Sequence, residues 1–205
     1  MSKINTNSNA YIIIYSTVLV VIVAFLLAFV SQSLKDKQEA NVALDQEKQI
    51  LNALNMRDKS DEEAHALYEK TVKYDAEHNI YVCALDGGQT KYVFPLKGMG
   101  LWGGISGFVA LDDDRNTIYG AYFNHESETA GLGAEIKDSR AWQEKFIGKK
   151  ILNENGQVTI AVVKNVEDTD HQVDAVTGAT LTSNGVSDML QKGFNEYKPF
   201  LDCQD

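Results

Sequence analysis

The chain has 205 residues, a formal net charge of −10, 44% hydrophobic and 23% charged residues, two Cys, two Pro and 15 Gly. That length suits one ordinary domain plus an appendage, and the apolar fraction excludes wholesale disorder. Two cysteines exclude a disulfide scaffold or a multi-cysteine zinc or iron–sulfur site within this chain alone, and the acidic balance argues against a nucleic-acid partner, which calls for a basic patch.

Residues 1–10 read as a short tail with Lys3 as its one basic side chain. Tyr11 to Val30 is a run of 20 residues without a charge. As a helix it rises about 30 Å, the thickness of a bilayer's hydrocarbon core. Tyr11 and Tyr15 mark one end, where aromatic rings favour the interface. The run is longer than the roughly 7–15 apolar residues of a signal peptide, and no Ala-x-Ala pattern follows it. A retained transmembrane helix over 11–30 is therefore expected. All 29 acidic residues and 18 of the 19 basic ones come after it, which puts −11 on the rest of the chain. Lys35, Lys37 and Lys48 follow the run and only Lys3 precedes it, so the positive-inside rule casts a small vote for a cytoplasmic C-terminal part.

Residues 31–60 read as a linker, helical from Ser31 to about Met56, with apolar punctuation at Leu34, Val42, Leu44, Ile50, Leu51 and Leu54. The domain proper is expected over 61–205. Asp61 can cap a second helix running to about Tyr74, with Glu62 and Glu63 in its first turn, where the helix dipole favours acids. The period then changes. Ile80–Leu85, Lys91–Leu96, Ile105–Leu111 and Thr117–Asn124 are short runs rich in β-branched and aromatic residues. The turns Asp86-Gly87-Gly88 and Asp112-Asp113-Asp114-Arg115-Asn116 separate them and predict antiparallel hairpins. Residues 138–147 read as a helix capped by Asp138 or Ser139. Val158–Lys164 reads as a strand. A last helix is expected from about Ser183 to Tyr197, with Val186, Met189, Leu190 and Phe194 on one face. The fold class is α+β, with one N-terminal transmembrane helix, a mainly antiparallel sheet and flanking helices.

Three stretches can carry chemistry. Asp174-Ala175-Val176-Thr177-Gly178-Ala179-Thr180-Leu181-Thr182-Ser183 sets hydroxyls and a Gly at a strand-to-helix junction. A helix start offers free N–H groups and a positive dipole end, which suit a phosphate, and small residues admit a ligand close to the backbone. The same residues also serve as an ordinary N-cap. His125-Glu126-Ser127-Glu128-Thr129-Ala130-Gly131-Leu132-Gly133-Ala134-Glu135 reads as a long loop, functional or merely solvated. His125 has no second His at i+4 and no nearby Cys, so no metal site is assigned. Gly98-Met99-Gly100-Leu101-Trp102-Gly103-Gly104 either frames a planar ring or, as pattern alone favours, buries Trp102 at a tight strand entry. Cys83 lies in a strand as a buried thiol; pairing with Cys203 is possible in an oxidising compartment.

With those residues in view, the chain resembles the family formed by the C subunit of the sodium-translocating NADH:quinone reductase, and is similar to the related G subunit of the Rnf electron-transport complex. The resemblance rests on the uncharged N-terminal helix, Gly-Leu-Trp-Gly at Gly100–Gly103, Glu-Thr-x-Gly-Leu-Gly at Glu128–Gly133 and Asp-x-x-Thr-Gly-Ala-Thr at Asp174–Thr180. In that family the last motif is read by a flavin transferase, which attaches FMN through its phosphate to the final threonine. The resemblance thus implies covalent FMN on Thr180, with Asp174, Thr177, Gly178, Ala179, Leu181 and Thr182 around the attachment point. It implies that Glu128, Thr129, Leu132 and Gly133 line the ring or ribityl chain, with Leu101 and Trp102 nearby, and that Asp174 orders the loop or assists transfer. It further implies an electron relay inside an ion-pumping membrane complex of a bacterial inner membrane. The other membrane subunits are then partners, and the flavin domain lies on the periplasmic side, against the lysine count. The chain departs from the family at Ala130, where relatives usually carry Pro, and at Met99, where a basic residue is common. A membrane-anchored ligand-binding or scaffold domain without redox chemistry is the alternative of a different class.

Overall fold

The structure is a computed structural model and describes residues 8–85 and 87–202. Lys3, the Asp86 position of the first turn and Cys203, with any pairing to Cys83, lie outside the described residues.

Helix α1 (Asn9–Ala53) runs through the anchor run and on into the expected linker 31–60, ending at Ala53, short of the expected Met56. It is long and apolar enough to cross a membrane, and its apolar side chains from Ile12 to Val30 are exposed. Ser16 and Thr17 donate their hydroxyls to the Ile12 and Ile13 carbonyls at 2.7 and 2.8 Å. Such back-bonding satisfies a hydroxyl where no water is available. The chain divides into two compact units, Met1–Asp45 and Gln46–Asp205. The second unit thus begins ahead of the expected 61, because Ile50, Leu51 and Leu54 are fully buried in it rather than punctuating a free linker.

Helix α2 (Asp61–Thr71) is capped by Ser60, one residue before the expected Asp61. The Ser60 hydroxyl accepts from the Glu63 N–H, and the Glu63 carboxylate accepts from the Ser60 N–H, which makes a capping box. The helix stops at Thr71 instead of reaching Tyr74, because the next residues are taken into a sheet. That sheet is β1 (Val72–Asp75), β2 (Ile80–Ala84), β3 (Thr90–Met99), β4 (Gly104–Leu111) and β5 (Ile118–His125), antiparallel throughout and paired in chain order. The expected hairpins are all present. In the turn before β5, Asp114 accepts from the N–H groups of Asn116 and Thr117 and from the Thr117 hydroxyl at 2.5 Å.

Both sheet faces are covered, and side-chain alternation sorts the strands between two cores. Val93, Phe108 and Ala110 point to one side, with Ile50, Leu51, Ala64 and Cys83. Phe94, Val109 and Leu111 point to the other, with Phe123, Phe146 and Phe194. The Cys83 thiol is buried as expected, and burial pushes its pKa up to about 12. Lys91 is also buried; its ammonium pairs with Asp112 at 2.6 Å and lies over the Tyr119 ring at 4.6 Å.

The expected helix 138–147 is broken into α3 (Glu135–Asp138), α4 (Arg140–Gln143) and a 3-10 turn at Glu144–Phe146. Ser139 makes the break: it leaves the helical region and its hydroxyl accepts from the Trp142 N–H. The expected strand 158–164 shrinks to β6 (Ala161–Val163), paired in parallel with β7 (Gln172–Asp174), a strand too short to show in the sequence. Helix α5 (Thr180–Glu196) packs against β3, with Val186, Met189, Leu190 and Phe194 buried as the periodicity predicts. It begins at Thr180 and not at Ser183, three residues early. A short helix α6 (Lys198–Asp202) follows.

Candidate functional site

Strand β7 ends at Asp174, and the chain crosses to α5 in five residues. Gly178 makes the crossing at φ +78°, and a Cβ there would stand 2.8 Å from the Leu132 side chain. Any other residue is therefore disfavoured twice. Ala179 is the N-cap residue of α5 and, having no polar side chain, caps nothing. The first turn contains no acid.

Helical geometry then divides four adjacent residues. Thr180 and Leu181 face outward and are exposed, whereas Thr182 and Ser183 are buried. The buried pair are anchors. The Ser183 hydroxyl accepts from the Val176 N–H at 3.1 Å, and the Thr182 hydroxyl donates to Glu128 Oε2 at 2.6 Å. Thr180 therefore presents its hydroxyl from a helix turn held on its inner side at two points.

Asp174 is fixed from two directions. Its carbonyl accepts from Trp142 Nε1 at 2.8 Å, and its carboxylate pairs with Lys145 at 2.7 Å. Asp174, Thr177, Gly131, Glu135, Trp142 and Lys145 help line a hollow of about 300 Å³ beside the motif. Sequence reasoning missed Trp142 and Lys145. They lie 32 and 29 residues from Asp174, and only the fold brings them to it.

The glutamate loop closes the other side. His125 Nδ1 accepts from the Glu128 N–H at 3.2 Å, so this histidine shapes the turn. Glu128 is buried, 8% exposed as a residue, with its carboxylate turned inward. Oε2 takes the Thr182 hydroxyl, and Oε1 takes the Trp102 N–H at 2.9 Å. Burial pushes this carboxyl up, but the Thr182 hydroxyl and the Trp102 and Leu101 N–H groups outweigh it and hold the group below the usual carboxylate range. Of the other expected residues in this loop, Thr129 and Leu132 are exposed and Gly133 is buried.

The glycine loop turns tightly, with the Gly100 N–H donating to the Gly103 carbonyl at 2.9 Å. Trp102 stands at its tip, 67% exposed. The expectation of a core tryptophan is thus corrected: the turn projects both Leu101 and Trp102 away from the sheet. Met99, Leu101, Trp102, Leu132 and Leu181 are all exposed apolar side chains on the three stretches or on the first turn of α5. The three stretches singled out from the sequence are tied together by one carboxylate.

These residues fit a phosphate-anchored flavin. An exposed threonine hydroxyl stands at the open start of a 17-residue helix, and exposed apolar side chains suited to a flat ring lie on the stretches that Glu128 joins.

Residues 100–195 match the FMN-binding domain family. The chain is 41% identical over 126 residues to the C subunit of the Na(+)-translocating NADH-quinone reductase of Haemophilus ducreyi, covering 60% of this chain and 49% of that protein. A similar match to the same subunit of Neisseria meningitidis is 42% identical over 119 residues, covering 57% of this chain and 46% of that protein. The chain thus spans about half the length of the curated relatives it matches. Among solved structures, the C subunit of the Na(+)-translocating NADH-quinone reductase from Parabacteroides distasonis superposes with a TM-score of 0.76 at 35% identity, covering 84% of this chain and 98% of that one. With nearly all of that solved relative matched, the chain belongs to the family formed by the C subunit of the Na(+)-translocating NADH-quinone reductase.

Proposed function

We propose that this chain carries FMN as a phosphoester on Thr180 and relays electrons within a sodium-translocating NADH:quinone reductase. The observation that carries the reading is the Thr180 hydroxyl. It is exposed on the first residue of a helix that has neither a side-chain cap nor an acid in its first turn, inside the segment that matches the FMN-binding family.

The residues divide the work. Thr180 would contribute the oxygen that forms the bond to phosphorus: it would displace the nucleotide leaving group of an activated flavin dinucleotide held by the transferase, whose phosphoanhydride bond breaks as the hydroxyl proton passes to base. The N–H groups of the first turn and the helix dipole stabilise the phosphodiester's charge. Gly178 and Ala179 keep the approach slim for a flavin transferase. Asp174, held by Lys145 and Trp142, sets the loop before the helix; a direct part in the transfer is a further reading of the same residue. Leu101, Trp102, Leu132 and Leu181, all exposed, would offer apolar surface to the ring, with Thr129 in the same loop as Leu132 and Thr177 near the attachment point. When bound, FMN supplies the redox chemistry, and the protein orients it and limits water.

The apolar part of α1 anchors the chain in a bacterial inner membrane. It holds no ionisable side chain between Tyr11 and Val30, apart from the two tyrosines at one end, so sodium translocation falls to other membrane subunits of the complex. The flavin domain lies on the periplasmic side. The G subunit of an Rnf complex shares this chemistry, and co-purification with quinone-reductase subunits separates the two.

The test is intact mass and in-gel flavin fluorescence after denaturation, on chain produced with an active flavin transferase. One FMN adduct, lost in Thr180→Val, is expected. A colourless wild-type chain made under those conditions overturns the reading in favour of an anchored domain without redox chemistry.

A further inference from the structure

We propose that Glu128 is a positioning residue for Thr180: its ionised carboxylate bolts the glycine loop to the first turn of α5 and does not itself touch the flavin. The inference rests on the reading that Thr180 is the attachment residue, and it removes Glu128 from the residues expected to line the ring.

The geometry commits both carboxylate oxygens of Glu128 to donors of the protein. Each oxygen already accepts a hydrogen bond, Oε2 from the Thr182 hydroxyl and Oε1 from the Trp102 N–H. Glycines wall it in. A Cβ on Gly100 would collide with Oε1, and a Cβ on Gly133 would collide with Oε2 and stand 2.6 Å from the Thr182 hydroxyl. The two glycines are thus explained by the carboxylate and need no flavin to explain them. Gly185, one turn on from Thr182, is pressed against the Met99 carbonyl, so α5 and the end of β3 meet without a side chain between them.

The chemistry favours a carboxylate. Both partners donate here, and a carboxylate accepts from the two at once on one rigid group. Glutamine offers one acceptor; its amide N–H reaches Thr182 only if that hydroxyl turns round to accept, and the charge-assisted bond is lost. Aspartate is one methylene shorter and cannot keep both bonds. Thr182 is two residues from Thr180, about 200° around the helix. Fixing Thr182 inward therefore fixes Thr180 outward. The same carboxylate also holds the backbone that carries Trp102. The attachment point and one wall of the ring site then share a single joint.

The experiment compares the full chain with Glu128→Gln, Thr182→Val, Thr182→Ser and, as a control in the same loop, Glu126→Gln. Glu126 is exposed and accepts from the Gly104 N–H. Each is produced with the flavin transferase. Three quantities are read: the initial rate of flavin incorporation, the visible circular dichroism of the attached flavin, and the far-ultraviolet spectrum as a check on folding. Glu128→Gln and Thr182→Val should slow incorporation roughly tenfold or more and flatten the visible dichroism, since each breaks a buried bond to a charged group. Thr182→Ser, which keeps the hydroxyl, and Glu126→Gln should match the wild type. If Glu128→Gln does not fold, the Thr182 pair decides alone. Equal rates and spectra for Thr182→Val and Thr182→Ser overturn the proposal, as does a folded Glu128→Gln with wild-type rate and dichroism. A wild type that carries no flavin contradicts the Thr180 reading instead.

Discussion

Helices α2 and α5 begin in opposite ways. Helix α2 starts from Ser60 with a complete capping box and carries Asp61, Glu62 and Glu63 in its first turn. Its free N–H groups and dipole are answered by its own side chains. Helix α5 starts from Ala179 with no cap and no acid, although Thr and Ser residues crowd its first turn. Those hydroxyls are turned elsewhere: Thr182 donates to Glu128 and Ser183 accepts from Val176. One start is closed by the sequence around it, and the other keeps its positive end open beside an exposed threonine. The difference teaches that a cluster of cap-type residues does not by itself make a cap; what matters is which way each hydroxyl faces.

The strongest way to break this comparison is to disturb the joint that directs the α5 hydroxyls. Gly133→Ala places a methyl against the Glu128 carboxylate and the Thr182 hydroxyl. Overpacking and the loss of buried hydrogen bonds together should cost about 2–4 kcal/mol. The melting temperature should drop accordingly; an unchanged value would mean that the loop gives way freely. Next comes a transplant of the α2 character onto α5. Leu181→Glu puts an acid in the first turn at an exposed position and should slow flavin incorporation, by roughly tenfold, relative to Leu181→Gln. The helix itself should gain about 0.3–1 kcal/mol from the acid. Equal incorporation by the Glu and Gln variants would show that the open positive end plays no part. The smaller effect belongs to the closed start. Ser60→Ala removes the cap acceptor and should cost about 1 kcal/mol in thermal stability, with flavin incorporation unaltered.

The same two helix starts show what could be read from the sequence. The Ser60-x-x-Glu63 spacing of a capping box is visible there, yet Asp61 is as good a cap by residue type, and the choice is settled only by backbone geometry one residue earlier. At α5 the crowd of hydroxyls suggests an N-cap and a helix from about Ser183, but the helix starts at Thr180 and Ser183 serves the loop behind it from inside the helix. The strands were legible because short runs rich in β-branched and aromatic residues between turns are a local signal; with both faces covered, β4 is buried without a break from Gly107 to Leu111. Strand β1 was not, since four residues after a helical run carry too little pattern to overcome it. Motif order exposed the three stretches of the site. Their joint did not show, because Glu128 and Thr182 are 54 residues apart and the burial that makes the carboxylate matter exists only in the fold. Trp102 escapes pattern reading for a related reason: glycines on both sides permit either face, and the turn through the Gly100–Gly103 hydrogen bond chooses the outer one.

The gentlest test of the contrast uses protons in place of substitutions. Burial alone would raise the Glu128 carboxyl, but the Thr182 hydroxyl and the backbone N–H groups hold it below the ordinary value. A carboxyl depressed in the folded state adds stability that is fully present above its unfolded pKa, about 4.3, and is lost as the pH falls through the folded value. Between pH 7 and 5 the bolt should therefore contribute a constant amount, and below about pH 4 its contribution should fade. Other carboxylates titrate over the same range, so the measurement is the difference in melting temperature between the wild type and Glu128→Gln. That difference should be largest near neutrality and shrink on acidification. A gap that instead widens as the pH falls would mean that the carboxyl is raised by burial, that the neutral acid is the form the joint holds, and that α5 is anchored by some other contact.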